Sequence, residues 1–212
     1  MSDASVALSA VDVSTARSVP KTATAVGYAV ASKGAVARQL GLSRSALEAN
    51  GFTGKLGQVL AVPSADGVAI AVGIGASDEI DANGLRRAAA AFGRAASTQS
   101  VIATNLADVD GVDAAEAGQA VVEGVLLASY RYVGLKNDPD AGSKLRALTL
   151  VAGAKRAKGV DQGSVRGSVI AAATGLAREL ANTPPTYLNA KDIAARAVDL
   201  GSASGLHVEV FN

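Results

Sequence analysis

The residues of this chain that could do chemistry lie in a few short stretches, and the first is a glycine-containing turn. Gly73-Ile74-Gly75 follows an apolar run and precedes a helical pattern, as in the loop that binds the pyrophosphate of a dinucleotide. The third glycine of such a loop would fall at Asp78, whose carboxylate would repel phosphate. We therefore favour a tight turn between a strand and a helix over a phosphate site.

Three aspartates form the second candidate. Asp108, Asp110 and Asp113 are spaced like the start of a calcium loop, but Val112 occupies the next ligand position and no glutamate closes the loop. Residues 51–55 do not have the spacing of a phosphate-binding P-loop. Both stretches are interpreted as ordinary loop and helix-cap chemistry.

His207 is the only histidine, and the chain has no cysteine. It stands between Leu206 and Val208 in a predicted strand, without a second ligand or nucleophile nearby. Metal sites and catalytic triads need convergent groups, so a lone strand histidine favours a structural role. The sequence predicts no catalytic, cofactor-binding or metal-ligating residue in this chain.

Composition restricts the class of protein. Hydrophobic residues make up 49% of the 212 residues and aromatic residues only 3%, which indicates an ordered core of small side chains. Lys and Arg number 20 against 19 Asp and Glu, which disfavours a nucleic-acid partner. The apolar runs at residues 68–76 and 169–177 are shorter than the roughly 20 residues of a membrane span. Without a secretory signal, a cytoplasmic protein with no membrane partner is expected.

The patterning predicts alternating strands and helices. Predicted strands cover residues 6–13, 22–31, 58–62, 68–74, 100–106, 145–151 and 206–211. The third and fourth read as a hairpin, with residues 63–67 as its turn. Predicted helices cover residues 34–50 with a break at Gly41, a segment through Leu85 and Phe92, and residues 114–133, 163–182 and 190–200. This order predicts an α/β fold whose mixed sheet has helices on both faces.

Two of these helices carry distinctive faces. In the helix at 163–182, apolar residues at helical spacing predict the packed face. They are Val165, Val169, Ala172, Ala173, Leu176 and Leu180. In the helix at 114–133, small residues from Gly118 to Ser129 suit close packing on a sheet.

A junction follows the helix at 163–182. Thr183 precedes Pro184, which disfavours the α conformation, so the helix is predicted to end near Asn182. Asn189 is a good N-cap for a new helix. The final helix and strand read as the start of a second unit that the chain does not complete. We expect a domain at 1–162, a connecting helix and proline-rich junction at 163–189, and the start of another domain at 190–212.

The junction also carries a family resemblance. Ala177-Arg178-Glu179-Leu180-Ala181-Asn182-Thr183-Pro184-Pro185 resembles the interdomain segment of the leucyl aminopeptidase family, the cytosolic two-metal-ion aminopeptidases. Further similar segments occur in the family's order. They are Val72-Gly73-Ile74-Gly75, Leu85-Arg86-Arg87-Ala88-Ala89, the stretch from Gly124 through Tyr130-Arg131-Tyr132, and Gly205-Leu206-His207-Val208-Glu209-Val210.

The resemblance implies a macro-domain-like N-terminal domain of a hexameric enzyme that releases N-terminal amino acids, leucine preferred, from peptide substrates. Two divalent ions, manganese or zinc, belong to the family's C-terminal domain, whose Asn-Thr-Asp-Ala-Glu-Gly-Arg signature is absent here. No metal or catalytic residue can therefore be assigned in this chain. It is expected to bind no cofactor, to serve assembly or regulation, and to be inactive alone.

Two other functions stay open at this point. A stand-alone macro-like module that binds ADP-ribose or a related nucleotide would use the turn at residues 73–77. A DNA-binding accessory role is disfavoured by the balanced charge.

Overall fold

A six-stranded sheet forms the centre of the fold in a computed structural model, which describes residues 10–64, 67–138 and 142–211. The strands are β1 (Asp12–Ala16), β2 (Ala25–Ala31), β3 (Val59–Ser64), β4 (Gly67–Gly75), β5 (Val101–Thr104) and β6 (Ala147–Val151). Their order is β1-β6-β5-β2-β4-β3. Only β3 is antiparallel to its neighbour among these described strands, so the predicted mixed sheet is confirmed.

The hairpin of β3 and β4 is confirmed as well. Pro63 and Ser64, predicted as part of its turn, belong to β3 instead, and residues 65–66 lie outside the described residues. The first strand was predicted at residues 6–13, of which 6–9 also lie outside the described residues; β1 starts later, at Asp12.

The helices are α1 (Arg44–Ala49), α2 (Ala82–Ala95), α3 (Ala114–Ser129), α4 (Ala157–Asn182) and α5 (Ala190–Ala203), with short 3-10 helices at Arg38–Leu40 and Leu106–Asp108. The predicted helix at 34–50 is reduced to a 3-10 turn and α1, because Gly41 has a left-handed φ of 65° between them. Within the described part of the chain, no helix is long and apolar enough to cross a membrane.

Apolar side chains cover both faces of the sheet, as predicted. On one face Ile70 and Val72 of β4 share the main core with Phe92 of α2 and Val121 of α3. On the other face Ala69 and Ala71 pack with a second cluster that includes Leu40, Leu47 and Phe52. Alternate residues of one strand therefore feed two cores, as the period of a strand requires.

Glycines set how closely α3 and α4 pack. A Cβ atom at Gly163 of α4 would overlap the carbonyl oxygen of Ala115 in α3, and one at Gly118 of α3 would overlap the carbonyl oxygen of Val160 in α4. Gly159 and Gly167 continue the same contact along α4. The backbones approach so closely that these positions have no room for a side chain. Gly118 thus lies against a helix rather than the sheet that was predicted.

The packed face of α4 differs from the predicted one. Its buried residues are Val160, Gly163, Ser164, Gly167, Ala171, Gly175 and Glu179. Val165 and Val169, which were predicted to pack, are 64% and 65% exposed. The start of α4 is also earlier than predicted, at Ala157 rather than 163. Both errors have one cause. Glycine weakens an isolated helix, but in α4 the glycines are the residues that allow close contact with α3.

The predicted strand at residues 206–211 is not formed; the segment is irregular and mostly exposed. A strand needs a neighbour to receive its backbone hydrogen bonds, and the described sheet supplies none to it. Val208 instead lies against Gly201 of α5, where a Cβ atom would overlap the valine side chain.

Candidate functional site

The turn at Gly73-Ile74-Gly75 is filled by the protein's own backbone. A Cβ atom at Gly73 would overlap the carbonyl oxygen of Lys55, and the Gly75 amide donates to the Gly54 carbonyl at 2.9 Å. Gly75 also has a φ of 77°, which favours glycine. These glycines therefore form a tight turn and a close backbone contact. The tight turn is the interpretation that we favoured from the sequence.

The loop at 51–55 that covers this turn is organised by Gln58. The Gln58 Oε1 atom accepts from the Thr53 amide at 2.9 Å and from the Lys55 amide at 3.3 Å, while its Nε2 atom donates to the Gly51 carbonyl. Two loop amides thus point at a glutamine oxygen rather than outward toward a phosphate. This part of the chain does not have the arrangement of a P-loop.

The three aspartates do not converge on a common centre. Asp113 is the N-cap of α3, and its Oδ1 accepts from the amides of Ala115 at 2.9 Å and Glu116 at 3.1 Å. Those backbone hydrogen bonds lower the pKa of the Asp113 carboxyl. Asp108 accepts from the Gly153 amide at 3.1 Å and lies 3.9 Å from Arg156 Nε. Each aspartate with a partner stabilises a loop or a helix end.

His207 lies exposed in the irregular segment after α5. Among the described residues, no group of three or more His, Cys, Asp or Glu side chains could hold a metal ion. The described residues therefore do not fit a metal centre.

The end of α4 is the best-organised polar region next to the predicted junction. Glu179 is only 5% exposed, and the Tyr130 hydroxyl, just past the end of α3, lies 3.2 Å from its Oε2. The Asn182 Nδ2 donates to the same hydroxyl at 3.2 Å. Burial is the main cause that raises the pKa of Tyr130. The last turn of α4 is thus fixed to the end of α3.

Arg178 adds two contacts to this cluster. Its guanidinium donates to the Leu127 carbonyl at 3.1 Å and lies 5.8 Å from the centre of the Tyr130 ring. Both contacts join α4 to the last turns of α3. The junction therefore leaves the domain in a direction set by two helices.

The junction itself follows the sequence prediction. The Thr183 hydroxyl donates to the Glu179 carbonyl at 2.7 Å, and α4 ends at Asn182 before the two prolines. Asn189 and Asp192 form a capping box at the start of α5, with the Asn189 amide 2.9 Å from Asp192 Oδ2. Residues close in sequence thus specify both the end of α4 and the start of α5. The predicted Asn189 cap is confirmed.

Sequence reasoning missed the contact between Tyr130 and Glu179. Both residues lie in segments that carry the family resemblance, yet nothing in their spacing indicates that they meet. The available signal was indirect. The small residues Ala171 and Gly175 lie eight and four residues before Glu179, so all three share one face of the helix, and small residues on a helix face favour close packing. The structure shows that the two segments form one cluster.

The fold and the junction define a mixed α/β domain that leads through a capped junction into a further helix. The profile described as the cytosol aminopeptidase family, N-terminal domain, matches residues 27–139, more than half of the chain. The chain belongs to the cytosol aminopeptidase family, and the matching part is the family's N-terminal domain. This confirms the resemblance to the leucyl aminopeptidases.

Two curated relatives show how far the similarity extends. A probable cytosol aminopeptidase of Mycobacterium leprae (strain TN) is 36% identical over 170 residues, covering 79% of this chain and 32% of that protein. A probable cytosol aminopeptidase of Rhodococcus opacus (strain B4) is 35% identical over 175 residues, covering 78% and 33%. The chain thus spans about a third of the length of these relatives.

Solved structures agree on the fold. The bottromycin maturation enzyme BotP, which has also been solved in complex with Mn, is 32% identical with a TM-score of 0.72, covering 88% of this chain and 38% of its own. A tomato leucine aminopeptidase mutant has a TM-score of 0.77 at 21% identity, covering 92% of this chain and 43% of its own, and supports the fold alone. None of these matches supports a stand-alone ADP-ribose module.

Proposed function

We propose that this chain is the N-terminal region of a metal-dependent aminopeptidase that releases N-terminal amino acids, leucine preferred, from peptides. One observation carries the proposal: the chain matches the N-terminal domain of cytosol aminopeptidases over residues 27–139, yet spans only about a third of its relatives. The peptide-cleaving part would then lie in the remaining two thirds.

The metal ions of the proposed enzyme, two of manganese or zinc, would be bound outside this region. The Mn complex of BotP supports metal dependence of the whole enzyme. The role of this region would be to assemble or regulate the enzyme. It would contribute no catalytic, cofactor-binding or metal-ligating residue.

The chain would divide into an N-terminal domain at 1–162, a connecting helix and junction at 163–189, and the start of the catalytic domain at 190–212. The helix stop at Thr183 and the capping box at Asn189 support the second boundary. The first boundary falls inside α4, which contacts α3 both before it, at Gly159, and after it, at Gly163 and Gly167. The first turn of α4 would belong to the N-terminal domain and the rest of α4 to the connection.

Assembly into a homo-oligomer, a hexamer by the family pattern, is part of the proposal. Support comes from large apolar side chains left exposed on α4 and α5, including Val165, Val169 and Ile193. A cytoplasmic location is proposed from the name of the relatives, cytosol aminopeptidase. Light scattering of the longer enzyme would test the oligomer.

A chimera tests the main proposal. In it, this chain replaces the matching third of the M. leprae relative, and cleavage of leucine p-nitroanilide is measured with added Mn²⁺ or Zn²⁺. We expect metal-dependent cleavage by the chimera and none by the same relative without its first third, because the domain supplies structure that the catalytic part needs.

The 212-residue chain alone is the matched control and is expected to be inactive with either metal. Metal-dependent cleavage by that chain would contradict the proposal. So would a chimera that is folded by circular dichroism, assembles like the relative and still shows no cleavage.

A further inference from the structure

A groove of about 260 Å³ runs between α2 and α3. Its walls carry Arg86, Arg87 and Arg94 from α2, and Arg178 of α4 reaches one part of it. Its floor is apolar and consists of Ala90, Gly124, Leu127 and Ala128. An apolar floor between cationic walls is the composition of a surface that receives an acidic amphipathic segment.

The carboxylate of the groove does not balance these charges. Glu123 lies 2.6 Å from Arg86 Nε through its Oε2, and its Oε1 accepts from Gln119 Nε2 at 2.7 Å. Both oxygens therefore have partners, and the charge of Glu123 neutralises Arg86. Within the described residues, exposed Arg87 and Arg94 have no ion pair. Arg178 contacts two neutral groups, the Leu127 carbonyl and the Tyr130 ring.

The two unpaired arginines have a defined spacing. Arg87 and Arg94 are seven residues apart on α2, which places them on one face and about 10.5 Å apart along the helix axis. Ala90 lies between them on the same side of the groove. A second helix with carboxylates seven residues apart and an apolar side chain between them would match both the charges and the floor.

Structural roles account for part of this arginine cluster. Arg94 lies in the last turn of α2, where a cation interacts favourably with the helix dipole. Arg178 satisfies a carbonyl near the end of α3. Neither explanation covers Arg87, which lies in the first half of α2 and is exposed.

We propose that the groove between α2 and α3 docks an acidic amphipathic helix of a partner polypeptide, with Arg87 and Arg94 binding its carboxylates and Leu127 contacting its apolar side chain. A polypeptide is favoured over nucleic acid for two reasons. The chain as a whole is balanced, at 20 basic and 19 acidic residues. The floor of the groove is apolar, whereas a nucleic-acid backbone needs an extended basic surface.

The probe is a synthetic, fluorescently labelled helical peptide with Glu at two positions seven residues apart and Leu between them. Its binding to the 212-residue chain is followed by fluorescence anisotropy at low ionic strength. We expect saturable binding that weakens as salt is added, because exposed charges are screened. The double variant R87E/R94E is expected to weaken binding at least about tenfold, since two attractive pairs become repulsive.

The matched control is R38E/R166E, which changes the net charge equally at two exposed arginines outside the groove. It is expected to bind within about twofold of the parent, because those sites are not near the peptide. Circular dichroism verifies that both double variants remain folded. Leu127→Ser tests the floor independently and is expected to weaken binding without changing the salt dependence.

Several results would overturn the proposal. These are no saturable binding, equal loss in both double variants, or equal binding of a peptide with Gln in place of Glu. Displacement of the peptide by a short DNA duplex, with tighter binding of that duplex, would assign the groove to nucleic acid instead. The outcome is independent of the aminopeptidase proposal, because no peptide cleavage is measured.

Discussion

The Tyr130 hydroxyl lies 3.2 Å from the Glu179 Oε2 atom, although 49 residues separate the two in sequence. The contact joins the end of α3 to the last turn of α4, directly before the junction. Since Glu179 is buried and Asn182 donates to the same hydroxyl, one tyrosine holds two polar groups of α4. The direction in which the chain leaves the domain therefore depends on this cluster.

We expect Tyr130→Phe to lower the free energy of unfolding by about 1–3 kcal/mol, because it removes the hydrogen bond that the Tyr130 hydroxyl donates to the buried carboxylate of Glu179. Tyr187→Phe, at an exposed tyrosine, is the control and is expected to change it by less than about 0.5 kcal/mol. Urea denaturation measures both.

A double-mutant cycle with Glu179→Gln separates this contact from general effects of each substitution. We expect a coupling energy of at least about 0.5 kcal/mol between the two positions. Effects of Tyr130→Phe and Glu179→Gln that simply add would show that the two side chains do not stabilise each other.

The glycine contact between α3 and α4 gives a second prediction. Gly163→Ala should lower the free energy of unfolding by about 1–3 kcal/mol, because the new methyl group overlaps the Ala115 carbonyl and forces the helices apart. Alanine has the better helix propensity, so an increase in stability would show that the helices separate easily. Gly142→Ala, where no atom lies within 4 Å of the new Cβ, is the control and should change little.

Much of the fold follows from local patterns. The β3–β4 hairpin and the Asn189 cap of α5 each depend on residues close in sequence, and each was predicted. The order of strands and helices was enough to predict a mixed sheet with two covered faces. These features depend on short-range patterns of residues, so they could be predicted from the sequence.

Features that depend on distant partners were not predictable in this way. The packed face of α4 is decided by the approach of α3, and a pattern of apolar residues favours the bulky face over the glycine face. The segment at 206–211 alternates like a strand but has no described neighbour to pair with. The Tyr130–Glu179 contact likewise requires the whole helical layer to be in place.

The exposed face of α4 gives a third prediction. Replacing both Val165 and Val169 with Ala should not lower the free energy of unfolding by more than about 0.5 kcal/mol, because both side chains are mostly exposed and alanine is the better helix former. Val160→Ala on the packed face should cost about 1.5–3 kcal/mol, since Val160 is fully buried. Chemical denaturation of the three proteins distinguishes the faces; a large cost at 165 and 169 would restore the sequence interpretation of α4.

The N-cap of α3 gives a prediction about pH. The Glu116 and Ala115 amides lower the pKa of the Asp113 carboxyl below its ordinary value of 3.8. A carboxyl whose pKa is lower in the folded state than in the unfolded state stabilises the protein fully at pH values above its unfolded-state pKa. This stabilisation is lost as the pH falls through the folded-state pKa. Other carboxyl groups titrate in the same range, so only a comparison with a variant isolates Asp113.

Asp113→Asn is that variant, because asparagine also caps a helix but does not ionise in this range. The melting temperature of both proteins is followed by calorimetry from neutral pH down to about pH 2.5, through much of the range in which carboxyl groups titrate. We expect the parent to lose stability more steeply than Asp113→Asn below about pH 4. Asp113→Ala, which lacks a cap, should melt lower than both at neutral pH. Parallel curves for the parent and Asp113→Asn would show that the Asp113 charge does not stabilise the start of α3.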